Sequence, residues 1–153
     1  MLIESFILAA GSSKRTGKVN KLLKKYKNKP LIEHTIQIYL NSKVSRVNII
    51  TGYEKDKIEK IANKFNILTY HNKDYKKGLL SSIKTAIRNI NKSSTGVMIG
   101  LADMPLVKPK DLDNLITQFL TYKSKKICVP VCYKKIGNPI VFPSQLLKVI
   151  AKD

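Results

Sequence analysis

Cysteine and histidine are scarce in this chain of 153 residues. The two cysteines, Cys128 and Cys132, have a C-x-x-x-C spacing, and the two histidines, His34 and His71, lie far from them along the chain. A zinc or redox site needs several such ligands at short spacing, so the sequence excludes a zinc centre built from near neighbours. The spacing predicts both cysteines on one face of a strand, as buried thiols in a reducing cytosol.

Long hydrophobic runs are also absent. Residues 1–10 are largely apolar, but they are too few to span a membrane and lack the basic start of a secretory signal. No internal repeat, low-complexity tract or linker interrupts the chain. We therefore expect one cytoplasmic domain over residues 1–153, without membrane contact.

Acidic residues and arginine are few as well. The chain has ten Asp and Glu against 29 Lys and Arg, only three of them Arg, and a formal net charge of +19. Nucleic-acid surfaces favour arginine forks with interleaved aromatics, whereas here the lysines are scattered through all parts of the sequence. The charge predicts attraction for an anionic small molecule and no nucleic-acid partner.

Strand-like and helical patterns alternate along the chain. The expected strands are 2–9, 44–51, 67–70, 96–102, 126–131 and 140–142, with a short extended piece at 22–26; the expected helices start at Pro30 and Pro109 and cover 55–65, 79–90 and 144–150. The strands are apolar runs without strict alternation. This pattern predicts the α/β class, with a single doubly wound, mostly parallel sheet and helices on both faces.

The segment from Leu8 to Lys21 reads as a phosphate cradle. A buried strand ends there at small residues, and Gly11 and Gly17 permit an open loop whose backbone N–H groups can face an anion. Positive charge surrounds the loop at Lys14, Arg15, Lys18 and Lys21. A triphosphate would suit such a site.

Asp103 is the clearest single candidate for a functional residue, because it directly follows the apolar run 97–102 and precedes Met104-Pro105. A carboxylate at a strand end is a natural Mg²⁺ ligand, and a turn or helix-cap role is the alternative. In doubly wound sheets, ligands bind beyond the carboxyl ends of the strands. We therefore expect the loops 10–21, 51–53, 72–78 and 103–106 to converge at one edge.

Four motifs follow in order: Leu8-Ala9-Ala10-Gly11-x-Ser13-x-Arg15-x-Gly17 with Lys21, Asn72-x-x-Tyr75-x-x-Gly78-x-x-Ser81-Ser82, Leu101-Ala102-Asp103-Met104-Pro105, and Gly137-Asn138-Pro139. Together they resemble the molybdenum cofactor nucleotidyltransferases, and more narrowly the cytidylyltransferase branch. The resemblance covers nearly the whole chain. It implies a Rossmann-type fold like that of the nucleotide-diphospho-sugar transferases.

The resemblance implies a nucleotidyl transfer. A phosphate monoester, with molybdopterin as the expected acceptor, would attack the α-phosphorus of an NTP, with CTP favoured, and pyrophosphate would leave. Mg²⁺ is the implied cofactor. A molybdoenzyme or its chaperone is an implied protein partner.

The resemblance also implies residue roles. Arg15 and Lys21 would hold the β- and γ-phosphates, and together with the Mg²⁺ ligand Asp103 they form the expected catalytic set. The other expected nucleotide-binding residues are Ala10, Gly11, Ser12, Ser13, Thr51, Gly52, Asn72, Gly78 and Ser82. Asn138 would approach the acceptor, with a turn role before Pro139 as the alternative. For Ser81 and Ser82 the alternative is hydrogen bonding at a helix N-terminus.

One departure from the family pattern concerns the C-terminus. Family members usually continue to a Gly-Asp motif whose Asp is a second metal ligand, whereas here Lys152 precedes Asp153. Asp153 is either a shifted equivalent of that ligand or merely a terminal residue. In the second case the domain is shortened, the metal is held chiefly by Asp103, phosphate and water, and turnover is expected to be weak or absent. Two other functions stay open: a sugar- or polyol-phosphate cytidylyltransferase, and a catalytically impaired nucleotide-binding protein.

Overall fold

The apolar run at the N-terminus forms the central strand of the sheet. The computed structural model describes residues 1–13, 17 and 19–152. Its strands are β1 (Leu2–Ala9), β2 (Lys25–Tyr26), β3 (Lys29–Pro30), β4 (Arg46–Thr51), β5 (Leu68–His71), β6 (Ser94–Leu101), β7 (Val131–Cys132), β8 (Lys135–Ile136) and β9 (Ile140–Pro143). Its helices are α1 (Leu31–Leu40), α2 (Lys55–Asn63), α3 (Leu79–Arg88), α4 (Pro109–Thr121) and α5 (Ser144–Ile150). Short 3-10 turns cover Lys21–Leu23 and Tyr75–Lys77.

Five strands form one sheet in the order β5-β4-β1-β6-β9. The β5-β4-β1-β6 pairs are parallel, and β9 runs antiparallel to β6. β2 pairs with β3, and β7 with β8, in two small hairpins. The expected mostly parallel α/β sheet is confirmed.

Helices cover both faces of the sheet. On one face α1, α2 and α4 bury apolar side chains against residues such as Ile7, Ile49 and Met98. On the other face α3 and α5 pack Ala86, Ile87 and Leu147 against Phe6, Leu8 and Ile50. Because both faces are covered, the central strands are apolar on both sides, which is why their sequences show continuous runs.

The winding of the chain reverses beside β1. The chain passes from β1 to β4 and β5 on one side and then crosses to β6 on the other. β1 and β6 are neighbours in the sheet, so the loops that follow them leave its carboxyl edge side by side, where folds of this type bind ligands.

At the amino edge of the sheet, a buried carboxylate connects several elements through hydrogen bonds. Glu4 is 1% exposed, and its Oε1 accepts hydrogen bonds from the Asn91 backbone N–H at 2.7 Å and the Ser94 hydroxyl at 2.6 Å. Its Oε2 accepts one from the Asn48 amide at 3.2 Å. The Ser144 hydroxyl in turn donates to the Ser94 carbonyl at 2.5 Å. This network joins β1, β4, β6 and α5.

Three local expectations are wrong. Residues 126–130 do not form a strand: Cys128 makes only an isolated bridge to Val141, and the next strand, β7, begins at Val131. Cys128 is buried, and burial raises the pKa of its thiol, but Cys132 is exposed in the β7–β8 hairpin, so the two cysteines do not share a buried face. The extended piece expected at 22–26 begins instead as the 3-10 turn, with β2 after it.

Within residues 1–13, 17 and 19–152, no helix combines the length and apolar character needed to cross a bilayer.

Candidate active site

A cavity of about 570 Å³ opens at the carboxyl edge of the sheet. This volume lies in the range of small-molecule sites. The loop after β1, the segment 75–82 and the end of β6 contribute most of its lining, which includes Ala10, Gly11, Ser12, Ser13, Lys21, Tyr75, Lys76, Gly78, Leu79, Ser82, Leu101 and Asp103. Three of the four loops expected to converge do meet here.

Lys21 is fixed by the 3-10 turn that closes the loop after β1. Asn20 caps this turn, because its Oδ1 accepts from the Leu22 backbone N–H at 3.1 Å. The Lys21 backbone N–H donates to the Ser13 hydroxyl at 3.2 Å and so joins the two ends of the loop. The Lys21 side chain is thereby held at the cavity lining.

Asp103 is held through the residue before it. The Ala102 backbone N–H donates to the Leu8 carbonyl at 3.1 Å, so β1 and the end of β6 stay joined up to the turn. The Ala102 carbonyl accepts from the hydroxyl of Thr35 in α1 at 2.6 Å. Asp103 then turns its carboxylate into the cavity lining.

Lys21 and Asp103 meet across the cavity. The Lys21 Nζ lies 3.1 Å from the Asp103 Oδ2, and the two side chains are 47% and 39% exposed. An ion pair this open to water is weak, so its partners can exchange for ligands at little cost. The arrangement presents one cation and one carboxylate at the same point of the lining.

A divalent cation fits this donor set. No group of three or more His, Cys, Asp or Glu that could hold a metal occurs in the part of the chain that the structure describes. The exposed Asp103 carboxylate supplies one hard oxygen ligand beside a space large enough for a nucleotide. Mg²⁺ is commonly held in this way, by one or two carboxylates with phosphate oxygens and water.

The side chain of Asn72 organises the start of α3. Its Nδ2 donates to the hydroxyls of Ser81 at 2.8 Å and Ser82 at 3.1 Å, and its Oδ1 accepts from the Asp74 backbone N–H. The Ser81 hydroxyl donates to the Gly78 carbonyl at 2.7 Å. Asn72 therefore shapes the wall that Gly78 and Ser82 line, while its own side chain is buried.

Gly52 brings two of the lining loops into contact. A Cβ added there would lie 2.6 Å from the Tyr75 Cβ and 2.7 Å from the Ala10 Cβ. The Tyr53 backbone N–H also donates to the Ala10 carbonyl at 3.1 Å. The loop after β4 thus packs behind the lining and sets the spacing between the other two loops.

The expected site residues fall into three groups. Those on the cavity lining are Ala10, Gly11, Ser12, Ser13, Lys21, Gly78, Ser82 and Asp103. Those outside the lining are Thr51, fully buried at the end of β4, Gly52 and Asn72 behind the wall, and Asn138, which precedes Pro139 beside Gly100. Arg15, Lys14, Lys18 and Asp153 lie outside the described residues.

Other lining residues had no role in the sequence interpretation. Tyr75 belongs to a sequence motif without an expected role, and the sequence gives Lys76 and Leu79 none either. Thr35 belongs to none of the motifs. No sequence signal could have paired Thr35 with Ala102, since its partner is a backbone carbonyl 67 residues away.

Comparisons with known proteins identify the family of the chain. The family model described as MobA-like NTP transferase domain matches residues 5–153. A probable molybdenum cofactor guanylyltransferase of Thermococcus sibiricus is 36% identical over 126 residues, which are 81% of this chain and 59% of that protein. The molybdenum cofactor cytidylyltransferase of Escherichia coli is 34% identical over 104 residues, 67% of this chain and 52% of that protein. The chain thus spans little more than half the length of these relatives.

The fold is shared with solved structures. Rv0371c of Mycobacterium tuberculosis, solved in complex with manganese, superposes with a TM-score of 0.82 at 19% identity, covering 100% of this chain and 77% of that chain. At this identity the likeness establishes the fold. Taken with the family model over residues 5–153, it means that the chain belongs to the family of MobA-like NTP transferase domains.

Proposed function

We propose that this chain is a nucleotidyltransferase that joins an NMP group to a phosphate monoester and releases pyrophosphate. The observation that carries the proposal is the meeting of Lys21 and Asp103, 3.1 Å apart, on a nucleotide-sized cavity where the winding of the sheet reverses. The two residues come from the loops after β1 and β6. The membership in the MobA-like NTP transferase family supports the same reaction.

The reaction needs positioning more than covalent work by the protein. An acceptor phosphate oxygen attacks the α-phosphorus in line, and the bond to the pyrophosphate oxygen breaks. Lys21 would turn from Asp103 to the β- and γ-phosphates and stabilise the negative charge of the leaving group. Backbone N–H groups of Gly11 and Ser12 would face the phosphates, since the space beside Gly11 is open for at least 4 Å. Arg15 is assigned to the same phosphates by family resemblance.

Asp103 would hold the divalent cation. Mg²⁺ bound there would neutralise charge on the phosphate oxygens during transfer. The neighbour solved with manganese supports a divalent ion in this fold, and Mn²⁺ is therefore a suitable probe.

The base and the acceptor are assigned by the relatives. Tyr75, Gly78 and Ser82 line the cavity from the segment that follows β5, and we assign the nucleoside to this wall. CTP is the favoured nucleotide, although one relative is a guanylyltransferase and the other a cytidylyltransferase. Both relatives carry the molybdenum cofactor in their names, which favours molybdopterin as the acceptor. Asn138 stays assigned to the acceptor side.

A binding and transfer experiment tests the proposal. CTP, GTP and ATP are titrated into the protein with Mg²⁺, and pyrophosphate release is then followed with molybdopterin and, separately, with a sugar phosphate. We expect tightest binding of CTP and release that depends on molybdopterin. Release with only the sugar phosphate would favour the sugar-phosphate cytidylyltransferase alternative. Nucleotide binding without release would indicate a binding protein, and no binding of any nucleotide would overturn the proposal.

A further inference from the structure

We propose that Thr35 is a positioning residue for Asp103, and through it for the divalent cation of the proposed function, on which this inference rests. Thr35 lies in α1 and is 1% exposed. Its hydroxyl donates to the Ala102 carbonyl at 2.6 Å, directly before Asp103. Thr35 is not itself among the residues that line the cavity.

The hydrogen bond of Thr35 is unlike those of the other helical threonines. A threonine inside a helix ordinarily bonds to a carbonyl of its own helix one turn earlier. Thr85, Thr117 and Thr121 do so, with distances of 2.9 Å to the carbonyls of Ser81, Asp113 and Thr117. Thr35 instead bonds to the carbonyl of Ala102, in the turn that directly follows β6. Its hydroxyl therefore links two elements and does not serve its own helix.

Ala102 is consequently held from two sides. Its N–H is bound by the Leu8 carbonyl of β1 and its carbonyl by Thr35 of α1. The peptide group between Ala102 and Asp103 contains that carbonyl, so holding it fixes the position of the Asp103 Cα and limits the directions open to its side chain.

The same helix also positions the segment that carries Lys21. The backbone N–H of Leu31, the first residue of α1, donates to the Lys24 carbonyl at 2.9 Å, at the end of the 3-10 turn. Helix α1 therefore contacts the chain next to both members of the Lys21–Asp103 pair. A rigid helix that holds both loops fixes the distance between the cation site and the phosphate-binding lysine.

Direct measurement of Mn²⁺ affinity tests this role. Free Mn²⁺ is followed by electron paramagnetic resonance while the ion is titrated into the protein with a non-hydrolysable CTP analogue. Groups that orient a metal ligand typically change metal affinity 10- to 100-fold when removed, so we expect Thr35→Val to raise the Kd for Mn²⁺ by roughly tenfold. Thr35→Ser keeps the hydroxyl and should restore the wild-type Kd. Binding of the CTP analogue without metal should be the same in all variants.

A matched control separates positioning from general stability. Ser144→Ala removes another buried hydroxyl-to-carbonyl bond between elements, at the far edge of the sheet. We expect it to lower the melting temperature without changing the Kd for Mn²⁺. Thr35→Ala, with its higher helix propensity, is a second hydroxyl-free variant in case Thr35→Val does not fold, and the same rise in Kd is expected for it.

The outcomes are distinguishable. A wild-type Kd for Mn²⁺ in folded Thr35→Val or Thr35→Ala would overturn the role of Thr35 and leave the proposed function standing. An equal rise in Ser144→Ala would assign the effect to stability and overturn it as well. If the wild-type protein binds no Mn²⁺ with the nucleotide analogue, the proposed function fails, and this inference fails with it.

Discussion

At the scale of single residues, the proposed site rests on Lys21 and Asp103, which are 82 positions apart in the chain. The sequence predicted both as ligands, because one follows a glycine-bearing loop and the other a buried strand. It could not predict that they pair with each other, since the pairing depends on the conformation of two loops. It could not single out Thr35 either, because a threonine that leaves its helix for a distant carbonyl has the same sequence signature as Thr85, which does not.

Removing the charge of Lys21 should change the affinities for Mn²⁺ and for CTP in opposite directions. In the nucleotide-free protein the Lys21 ammonium competes with a divalent cation for Asp103, so Lys21→Met should strengthen Mn²⁺ binding roughly two- to fivefold. The same variant should weaken CTP binding about tenfold, because a charged hydrogen bond to phosphate is lost. Both affinities can be measured by calorimetric titration.

Lys25→Met is the matched control for this prediction. It removes the same charge from an exposed lysine in β2, outside the cavity lining. We expect small, equal effects of this variant on both ligands. Weaker Mn²⁺ binding by Lys21→Met in the absence of nucleotide would contradict a competition for Asp103.

At the scale of elements, apolar runs predicted the central strands well and the edge poorly. The strands β1, β4 and β6 are buried on both faces, and burial of this kind leaves an unbroken apolar sequence. The run 126–131 is also apolar, yet only Val131 lies in a strand, at the start of β7. Continued from the bridge between Cys128 and Val141, the ladder would need the N–H groups of Pro130 and Pro139, which prolines lack, and the Pro130 carbonyl instead accepts from the Gly137 N–H at 2.9 Å.

Close packing of three loops gives a prediction at the same scale. Gly52→Ala would push a methyl group to within 2.6 Å of the Tyr75 Cβ and 2.7 Å of the Ala10 Cβ, and both belong to the walls of the cavity. We expect a loss of about 1–3 kcal/mol in the free energy of unfolding from overpacking, and weaker CTP binding. Chemical denaturation and nucleotide titration measure the two effects.

Gly11→Ala provides the contrast in stability. No atom outside its chain neighbours lies within 4 Å of a Cβ at Gly11, so we expect the unfolding free energy of this variant to stay close to that of the wild type. Equal destabilisation by the two substitutions would show that the contacts of Gly52 with Tyr75 and Ala10 are not the cause of the lost stability.

At the scale of the whole molecule, the two edges of the sheet have separate tasks. The carboxyl edge carries the cavity, and the amino edge is fastened by Glu4 with its bonds to Asn48, Asn91 and Ser94. The alternation of strands and helices predicted this layered architecture, because each element needs an apolar partner layer. The Glu4 network was not foreseen, since its members come from three separate parts of the chain and form no motif.

The division of tasks predicts that stability and ligand binding can be separated. Glu4→Ala would remove the acceptor of three hydrogen bonds, from the buried Asn48 and Ser94 side chains and the half-buried Asn91 N–H, and we expect a loss of about 3 kcal/mol in the free energy of unfolding. The Kd for CTP with Mg²⁺ should stay within about twofold of the wild-type value at a temperature where the variant is folded, since distant sites act independently. A large loss of CTP affinity in the folded variant would contradict this separation of the two edges.

The central claim is that Asp103 and Lys21 perform a metal-dependent nucleotidyl transfer. The most direct measurement is pyrophosphate release from CTP and molybdopterin in the presence of Mg²⁺, compared between the wild-type protein and Asp103→Ala. We expect release by the wild type in step with attachment of the nucleotide to the acceptor, and a loss of about 100-fold or more in Asp103→Ala with an unchanged circular dichroism spectrum. Release at the wild-type rate by Asp103→Ala, or none by the wild type, would contradict the account.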